Sequence, residues 1–271
     1  MAEFADHFSG AAAEYARFRP RYPAALFSYL ASLVSNPALA WDCATGSGQA
    51  AVALASHVAR VVATDASAEQ IAHAEPHPRV EYRVATSKRS GLGAASVDLV
   101  TVAQALHWFD LPAFYAEAAR VLRPGGVIAV WCYGHMVMPD ATLQHMIDRF
   151  YSETVGPYWP PERKLVEEGY GGLHFPFIEI PAPPFAMEMR ASLDGLLGYL
   201  GTWSATQRFI QATGRNPLPE LMSELEKHWG DPEVQATVRW PLSLRVGRTP
   251  HADEATSGGL NARPEAAAGA V

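Results

Sequence analysis

Apolar residues recur along this chain in two rhythms that take turns. Short runs dense in Val, Ala and Leu occupy 38–41, 59–64, 80–84, 96–103 and 127–131, each of strand length. Between them lie segments whose apolar positions fall three and four apart, such as Phe114, Ala118 and Val121. Alternating strands and amphipathic helices predict an α/β fold built on a mostly parallel sheet. The run Ser96-Val-Asp-Leu-Val-Thr-Val-Ala103 is almost wholly apolar, as suits a central strand covered on both faces. Start signals agree with these periods. Pro23 precedes a helix over 24–33, Ser67 and Gln70 make a capping-box pattern, and Asp110 stands ready to cap 111–122. Arg123-Pro-Gly-Gly126 reads as a turn into the fifth strand.

From 133 to 184 the alternation lapses into a stretch rich in aromatics, Met and Pro. Asp140 predicts a helix to Tyr151, another is expected at 162–168, and Leu193 to Trp229 reads as helical. Phe185–Arg190 and Val234–Val246 are expected to close the sheet as an antiparallel pair. The predicted layout is a helical cap at 1–36, a sheet core at 37–132 and a helical insertion with the sixth strand at 133–232. A closing strand at 233–249 and a tail at 250–271, expected to be disordered, complete it. The fold expected is a doubly wound sheet of seven strands, helices on both faces, with a helical insertion forming a substrate cap.

Composition narrows the partners. With 271 residues, 49% of them hydrophobic, the chain can bury a sizeable core. Its formal charge of -7 and the lack of any basic run longer than Lys88-Arg89 argue against a nucleic-acid backbone as partner. Cys43 and Cys132 fall at predicted strand ends and read as reduced, buried thiols. A basic-then-apolar leader and a membrane-length apolar run are both lacking, so a soluble cytoplasmic protein, monomer or homodimer, is expected.

The candidate chemistry begins at Trp41-Asp-Cys-Ala-Thr-Gly-Ser-Gly-Gln49, between the first strand and a helix-forming run of alanines. Such a turn lets a ligand lie against backbone and aims N–H groups at it. Asp65 ends the next strand about twenty residues on, where an acidic side chain reaches ribose hydroxyls in such folds. Gly46, Gly48 and Ala51 approximate a dinucleotide turn, which keeps a nicotinamide-dependent oxidoreductase as an alternative. Asp42 opposes it, because a carboxylate there would repel two phosphates. S-adenosylmethionine, with an ammonium, a sulfonium, a ribose and no phosphate, suits that charge better. Ahead of the fold, Tyr15-Ala-Arg-Phe-Arg19-Pro-Arg-Tyr22-Pro23 interleaves aromatics and arginines. It reads either as a packed cap or as a lid whose Tyr15 and Arg19 reach an anionic group in the site.

Asp42 to Gly48, Asp65, Asp98 to Phe109 and Arg120 to Gly126 together resemble the successive motifs of class I S-adenosylmethionine-dependent methyltransferases. The segments 15–23 and 104–110 resemble in particular the small-molecule branch that includes trans-aconitate methyltransferases, the likeness covering roughly 8–248. That resemblance implies a methyltransferase acting on a small molecule, with these cofactor contacts. Asp42, Ala44, Thr45, Gly46, Ser47, Gly48 and Gln49 hold the methionine end, and Asp65 with Ala66 takes the ribose. Ser87 faces adenine, Gln104, Ala105 and Trp108 line the methyl-transfer side, and Tyr15 and Arg19 complete the site from the lid. Two departures stand out. Ala44 replaces a glycine, tolerable if its φ is negative, and Ser87 replaces an acidic residue.

Methyl transfer from a sulfonium is an in-line displacement that needs alignment and dryness, and no metal site is expected. A carboxylate acceptor needs no base. For a hydroxyl, amine or thiol, His107 is the best-placed proton acceptor, unless its ring only packs beneath the site. Residues 104–107 lack an Asn-Pro-Pro-Tyr-like turn, which argues against methylation of nucleic-acid bases. A non-catalytic binding module on the same fold stays open. Trp159, Trp203, Phe175 and Phe177 read either as an apolar pocket or as plain core.

Overall fold

The computed structural model describes residues 20–231 and 233–250. Tyr15, Arg19 and all but the first residue of the expected disordered tail lie outside them. After Pro23 the chain enters α1 (Ala24–Ser32), then β1 (Leu39–Cys43), α2 (Gln49–Leu54), β2 (Arg60–Asp65) and α3 (Ala68–Ala72). β3 (Val80–Val84), β4 (Val97–Ala103), α4 (Leu111–Val121) and β5 (Leu122–Tyr133) follow. The insertion carries α5 (Ala141–Arg149), α6 (Arg163–Glu167), β6 (Ile178–Ile180) and β7 (Phe185–Ala191). Next come α7 (Leu193–Gly201), α8 (Ser204–Thr213) and α9 (Leu218–Trp229), and β8 (Ala236–Arg248) returns to the sheet.

The strands run β3-β2-β1-β4-β5 in parallel, with β8 antiparallel beside β5. β6 and β7 pair with successive halves of β8, so eight strands fill seven positions. The break between them is Pro181-Ala-Pro-Pro184, since proline cannot donate to a ladder and is confined to an edge. The order reverses between β1 and β4, and ligands in such sheets bind at the carboxyl ends of the strands flanking that reversal.

Alternation along the strands builds two cores. Val100 joins Trp41, Val62, Phe114 and Val130 on one face, while Leu99 joins Phe27, Leu54, Val61 and Trp131 on the other. Each large apolar side chain so buried contributes about 1.5–3 kcal/mol before entropy is counted. A third cluster, with Leu143, Ile147, Leu196, Leu200 and Trp240, holds the insertion to β7 and β8. Phe175 and Trp203 are plain core, at 8% and 5% exposure.

Several local expectations shift. The 123–126 stretch is taken into β5 as an irregularity, the register jumping from Val97↔Leu122 to Leu99↔Val127. The helix after Asp140 ends as a wider π turn at Phe150–Thr154. The 193–229 stretch divides at Trp203 and again at Gly214, whose φ of 69° closes α8. Ser67 caps α3 by accepting from the Gln70 N–H, but the reciprocal arm of the box comes from Asp65, which accepts the Ser67 N–H at 2.9 Å. Cys43 and Cys132 are free and buried. Among the described residues no helix is long and apolar enough to cross a membrane.

Candidate active site

The turn after β1 is fastened from below. Thr45 N–H donates to Thr64 O at 3.0 Å, and its hydroxyl donates to Asp42 Oδ2 at 2.6 Å. Gly46 N–H donates to Asp65 Oδ2 at 2.9 Å. These ties hold Ala44 at a φ of 56°, so the condition of a negative φ is not met: the turn keeps the left-handed step without its glycine. An L-residue there costs about 1–2 kcal/mol. The two glycines serve different ends. A Cβ on Gly48 would lie 2.2 Å from the Tyr82 hydroxyl, so its bareness admits a β3 side chain. A Cβ on Gly46 would meet only Gln70 Oε1 at 3.9 Å, so this backbone is the part open to a ligand.

Two carboxylates lie under the turn. Asp42 is buried and accepts from the Thr45 and Thr101 hydroxyls at 2.6 Å each. Burial pushes its pKa up to about 6, Asp65 adding to the rise and the two hydroxyls opposing it. At neutral pH it therefore remains mostly ionised. Among the described residues neither Asp42 nor Asp65 has an ion-pair partner. Two acids with no cation beside a bare backbone turn fit a cationic ligand that carries hydroxyls, and they oppose a pyrophosphate. The residues present thus suit S-adenosylmethionine.

The rim is mixed. Ser47 and Ala66 are exposed, and Val84, in register with Asp65, is 58% exposed at the carboxyl end of β3. Ala85 N–H ties that end to Asp65 O at 2.9 Å, and Ser87 follows, half-buried, in the turn bridged by Thr86 and Arg89. Gln49 turns its amide inward, bonding Pro20 O and Tyr22 N–H at 3.3 Å each. It thereby docks the chain ahead of α1 onto the start of α2.

Beyond β4, Gln104 also has a left-handed φ of 56°, and its side-chain amide pairs with Tyr133 N–H at 2.8 Å and Tyr133 O at 3.2 Å. That amide extends the β4–β5 pairing, leaving the Gln104 backbone to line the edge. Ala105 is buried, Leu106–Trp108 forms a 3₁₀ turn, and Trp108 is 39% exposed. His107 Nδ1 lies 2.8 Å from the Tyr170 hydroxyl. Burial, with the charge of Arg163 adding to it, lowers the His107 pKa to about 4, so the ring is neutral at pH 7. The N–H groups of Leu106 and His107 also approach the phenol oxygen. Nδ1 is thus engaged by the Tyr170 hydroxyl, which also lies against the Cys132 thiol. A neutral ring with so low a pKa is a weak base at pH 7.

Asp42, Thr45, Gly46 and Asp65 are brought together as the sequence predicts, with His107 and Trp108 at the next strand end. Gln49, Gly48 and the amide of Gln104 serve the protein itself. Sequence reading passed over Thr101, Tyr82, Val84, Tyr170, Arg163 and His135. His135 follows β5, bonds Asp148 Oδ1 through Nε2 at 2.5 Å and rests 4.6 Å from the Tyr151 ring. Its place just past a strand's carboxyl end was the available signal.

Residues 41–130 match a family model described as a methyltransferase domain. A relative from Dictyostelium discoideum, provisionally named a methyltransferase, is 37% identical over 230 residues, spanning 83% of this chain and 87% of that one. The methyltransferase cfoB of Aspergillus candidus is 30% identical over 160 residues, half of its length. A solved structure from Anaeromyxobacter dehalogenans, provisionally described as a type II methyltransferase, superimposes with a TM-score of 0.82 at 47% identity. It covers 86% of this chain and 100% of that one. Glycine turn, acidic strand ends, doubly wound sheet and these likenesses agree, and the chain belongs to the class I S-adenosylmethionine-dependent methyltransferases.

Proposed function

We propose that the chain binds S-adenosylmethionine over the carboxyl ends of β1, β2 and β4 and methylates a small molecule by in-line displacement. The observation that carries this reading is the pair of uncompensated carboxylates, Asp42 and Asp65, beneath the open Gly46 backbone. When bound, the cofactor supplies an electrophilic methyl on a sulfonium. Asp42 provides negative charge toward its ammonium group, and Asp65 offers lone pairs to its ribose hydroxyls while holding Gly46 and Ser67. Val84 and Ser87 border the face assigned to adenine. Gln104 to Trp108 border the methyl side, where alignment and exclusion of water accelerate the displacement.

His107 is assigned a positioning role. With a pKa near 4 and Nδ1 engaged by Tyr170, it is too weak and too occupied to take a proton from an acceptor at pH 7. The acceptor is therefore one whose attacking atom needs no proton removed by this ring. Isothermal calorimetry with S-adenosylmethionine tests the reading. Asp65→Ala is expected to weaken binding at least tenfold, in line with about 1.5–3 kcal/mol for a hydrogen bond to a charged group. Absence of binding to the parent protein would overturn it.

A further inference from the structure

Arg163 stands apart from the other arginines of the insertion. It opens α6, which packs against both β5 and the Leu106–Trp108 turn that carries His107. Its side chain is only 15% exposed. Its Nε donates to the Tyr151 hydroxyl at 2.8 Å, and that hydroxyl in turn donates to Glu167. The guanidinium lies 4.6 Å from the ring centre of Trp159 and 5.5 Å from that of Tyr151. Glu167 itself is 3.9 Å from Nε, too far for a hydrogen bond.

Both terminal amino groups of Arg163 therefore make no hydrogen bond among the described residues. The side chain is mostly covered, yet its two terminal amino groups stay open to solvent and so to a ligand. Arg163 lines a cleft of about 400 Å³ together with Tyr151, Trp159, Pro160, Pro161, Lys164 and Glu167. Tyr170, which holds His107, lies just beyond α6, and the charge of Arg163 is felt at both His107 and Cys132. The helix that carries Arg163 thus packs against the Leu106–Trp108 turn, at the strand edge assigned to the methyl group.

We propose that this cleft is the acceptor subsite and that it takes a carboxylate, held by the two terminal amino groups of Arg163 with Trp159 and Tyr151 flanking the carbon skeleton. The proposal rests on the methyl-transfer reading above for the word acceptor, though the anion site stands on its own geometry. A planar carboxylate matches the fork in two parallel hydrogen bonds. Glu167 in the same lining disfavours a phosphate dianion, which would bring twice the repulsion. A carboxylate acceptor also needs no base, which agrees with the weak basicity of His107.

The test is calorimetry of benzoate, benzamide and phenyl phosphate on the full chain, with and without the demethylated cofactor, in the parent, Arg163→Gln and Arg163→Lys. Benzoate is expected to bind the parent at least tenfold more tightly than benzamide. Arg163→Gln is expected to lose that preference, and Arg163→Lys to keep part of it, while cofactor affinity is unchanged in both. Equal benzoate affinity in parent and Arg163→Gln, or equal affinity for benzoate and benzamide, overturns the subsite. Tighter binding of phenyl phosphate overturns the commitment to a carboxylate. If benzoate behaves as expected but the cofactor never binds, the subsite stands and the methyl-transfer reading fails. Should Arg163→Gln not fold, the parent's discrimination and Arg163→Lys still decide.

Discussion

Tyr170 presents its hydroxyl 2.8 Å from Nδ1 of His107, and Tyr170 is itself held at a left-handed φ of 60°. A non-glycine residue in that conformation persists only where its surroundings hold it there. Here Tyr170 N–H bonds Leu165 O at 2.9 Å, its side chain is fully buried, and the Arg245 guanidinium bonds its carbonyl at 3.0 Å. The ring of His107 is thereby fixed in place, while burial and the charge of Arg163 keep it neutral.

The first prediction concerns acid. His107 has a folded pKa near 4 against an ordinary 6.5, so the unfolded chain takes up that proton first as pH falls. Its contribution is complete above about 6.5 and is lost on the way down to 4, roughly 3 kcal/mol in all. Asp42 acts in the opposite sense. Its folded pKa of about 6 exceeds the ordinary 3.8, so the folded chain takes up the proton first and gains a similar amount between those values. The two nearly cancel between pH 6 and 4. Urea denaturation across that range should give a stability for the parent that these two groups leave almost flat. His107→Gln should grow more stable on acidification by roughly 2–3 kcal/mol relative to the parent, and Asp42→Asn less stable by a like amount. Parallel profiles for all three proteins would show that neither group titrates as described.

The second prediction joins that titration to the cofactor. An ammonium group near Asp42 favours its ionised form, so binding must expel the proton once the pH lies below about 6. Affinity for S-adenosylmethionine should weaken toward tenfold per pH unit below that point. Asp42→Asn should bind more weakly at pH 7 and show little change with pH. A parent affinity that is flat from pH 7 to 5 would place the ammonium elsewhere.

The third prediction isolates Gly48. Its φ of 86° already disfavours a side chain, and an added Cβ would lie 2.2 Å from Tyr82 Oη and 3.0 Å from its Cζ. Tyr82 cannot easily retreat, because its hydroxyl donates to Glu75 O at 2.6 Å while Glu75 N–H bonds Ser47 O at 2.9 Å. Gly48→Ala should cost roughly 2–4 kcal/mol, combining backbone strain with overpacking. Tyr82→Phe removes the nearest atom and should recover part of that loss in a double-mutant cycle. Strict additivity of the two substitutions would mean that Tyr82 is not the obstacle.

Much of this was legible beforehand, and the reasons are local. Strand and helix periods gave the parallel half of the sheet because buried parallel strands are continuous apolar runs, as at 96–103. Asp42, Gly46 and Asp65 were legible because turn chemistry at strand ends has few alternatives. Partners distant in sequence were not. Thr101 is 59 residues from Asp42, and Tyr170 is 63 from His107, separations set by the sheet order and by how the insertion folds back. Nothing in the sequence shows that the amide of Gln49 will bond Pro20 and Tyr22, or that of Gln104 Tyr133. Arg163 was hidden for a related reason: its meaning comes from Tyr151 and Trp159 closing on it, which the irregular 150–162 turns alone achieve.

The last prediction uses two residues that share one backbone conformation and little else. Ala44 and Gln104 end the adjacent strands β1 and β4, each with a φ of 56°. Glycine at either position relieves the left-handed strain, about 1–2 kcal/mol, and adds about 0.4–1 kcal/mol of unfolded-state entropy. For Ala44, whose methyl only partly packs against the core, the two effects leave a balance near zero or slightly favourable. Ala44→Gly should therefore match the parent or exceed it by up to about 1 kcal/mol in urea denaturation. Gln104→Gly gains the same relief but strips Tyr133 of two hydrogen bonds, at 2.8 and 3.2 Å, at a cost of about 1–3 kcal/mol for the pair. It should be the less stable variant of the two. If Ala44→Gly proves destabilising by more than about 1 kcal/mol, the methyl is packed rather than strained, and the turn prefers alanine for its contacts.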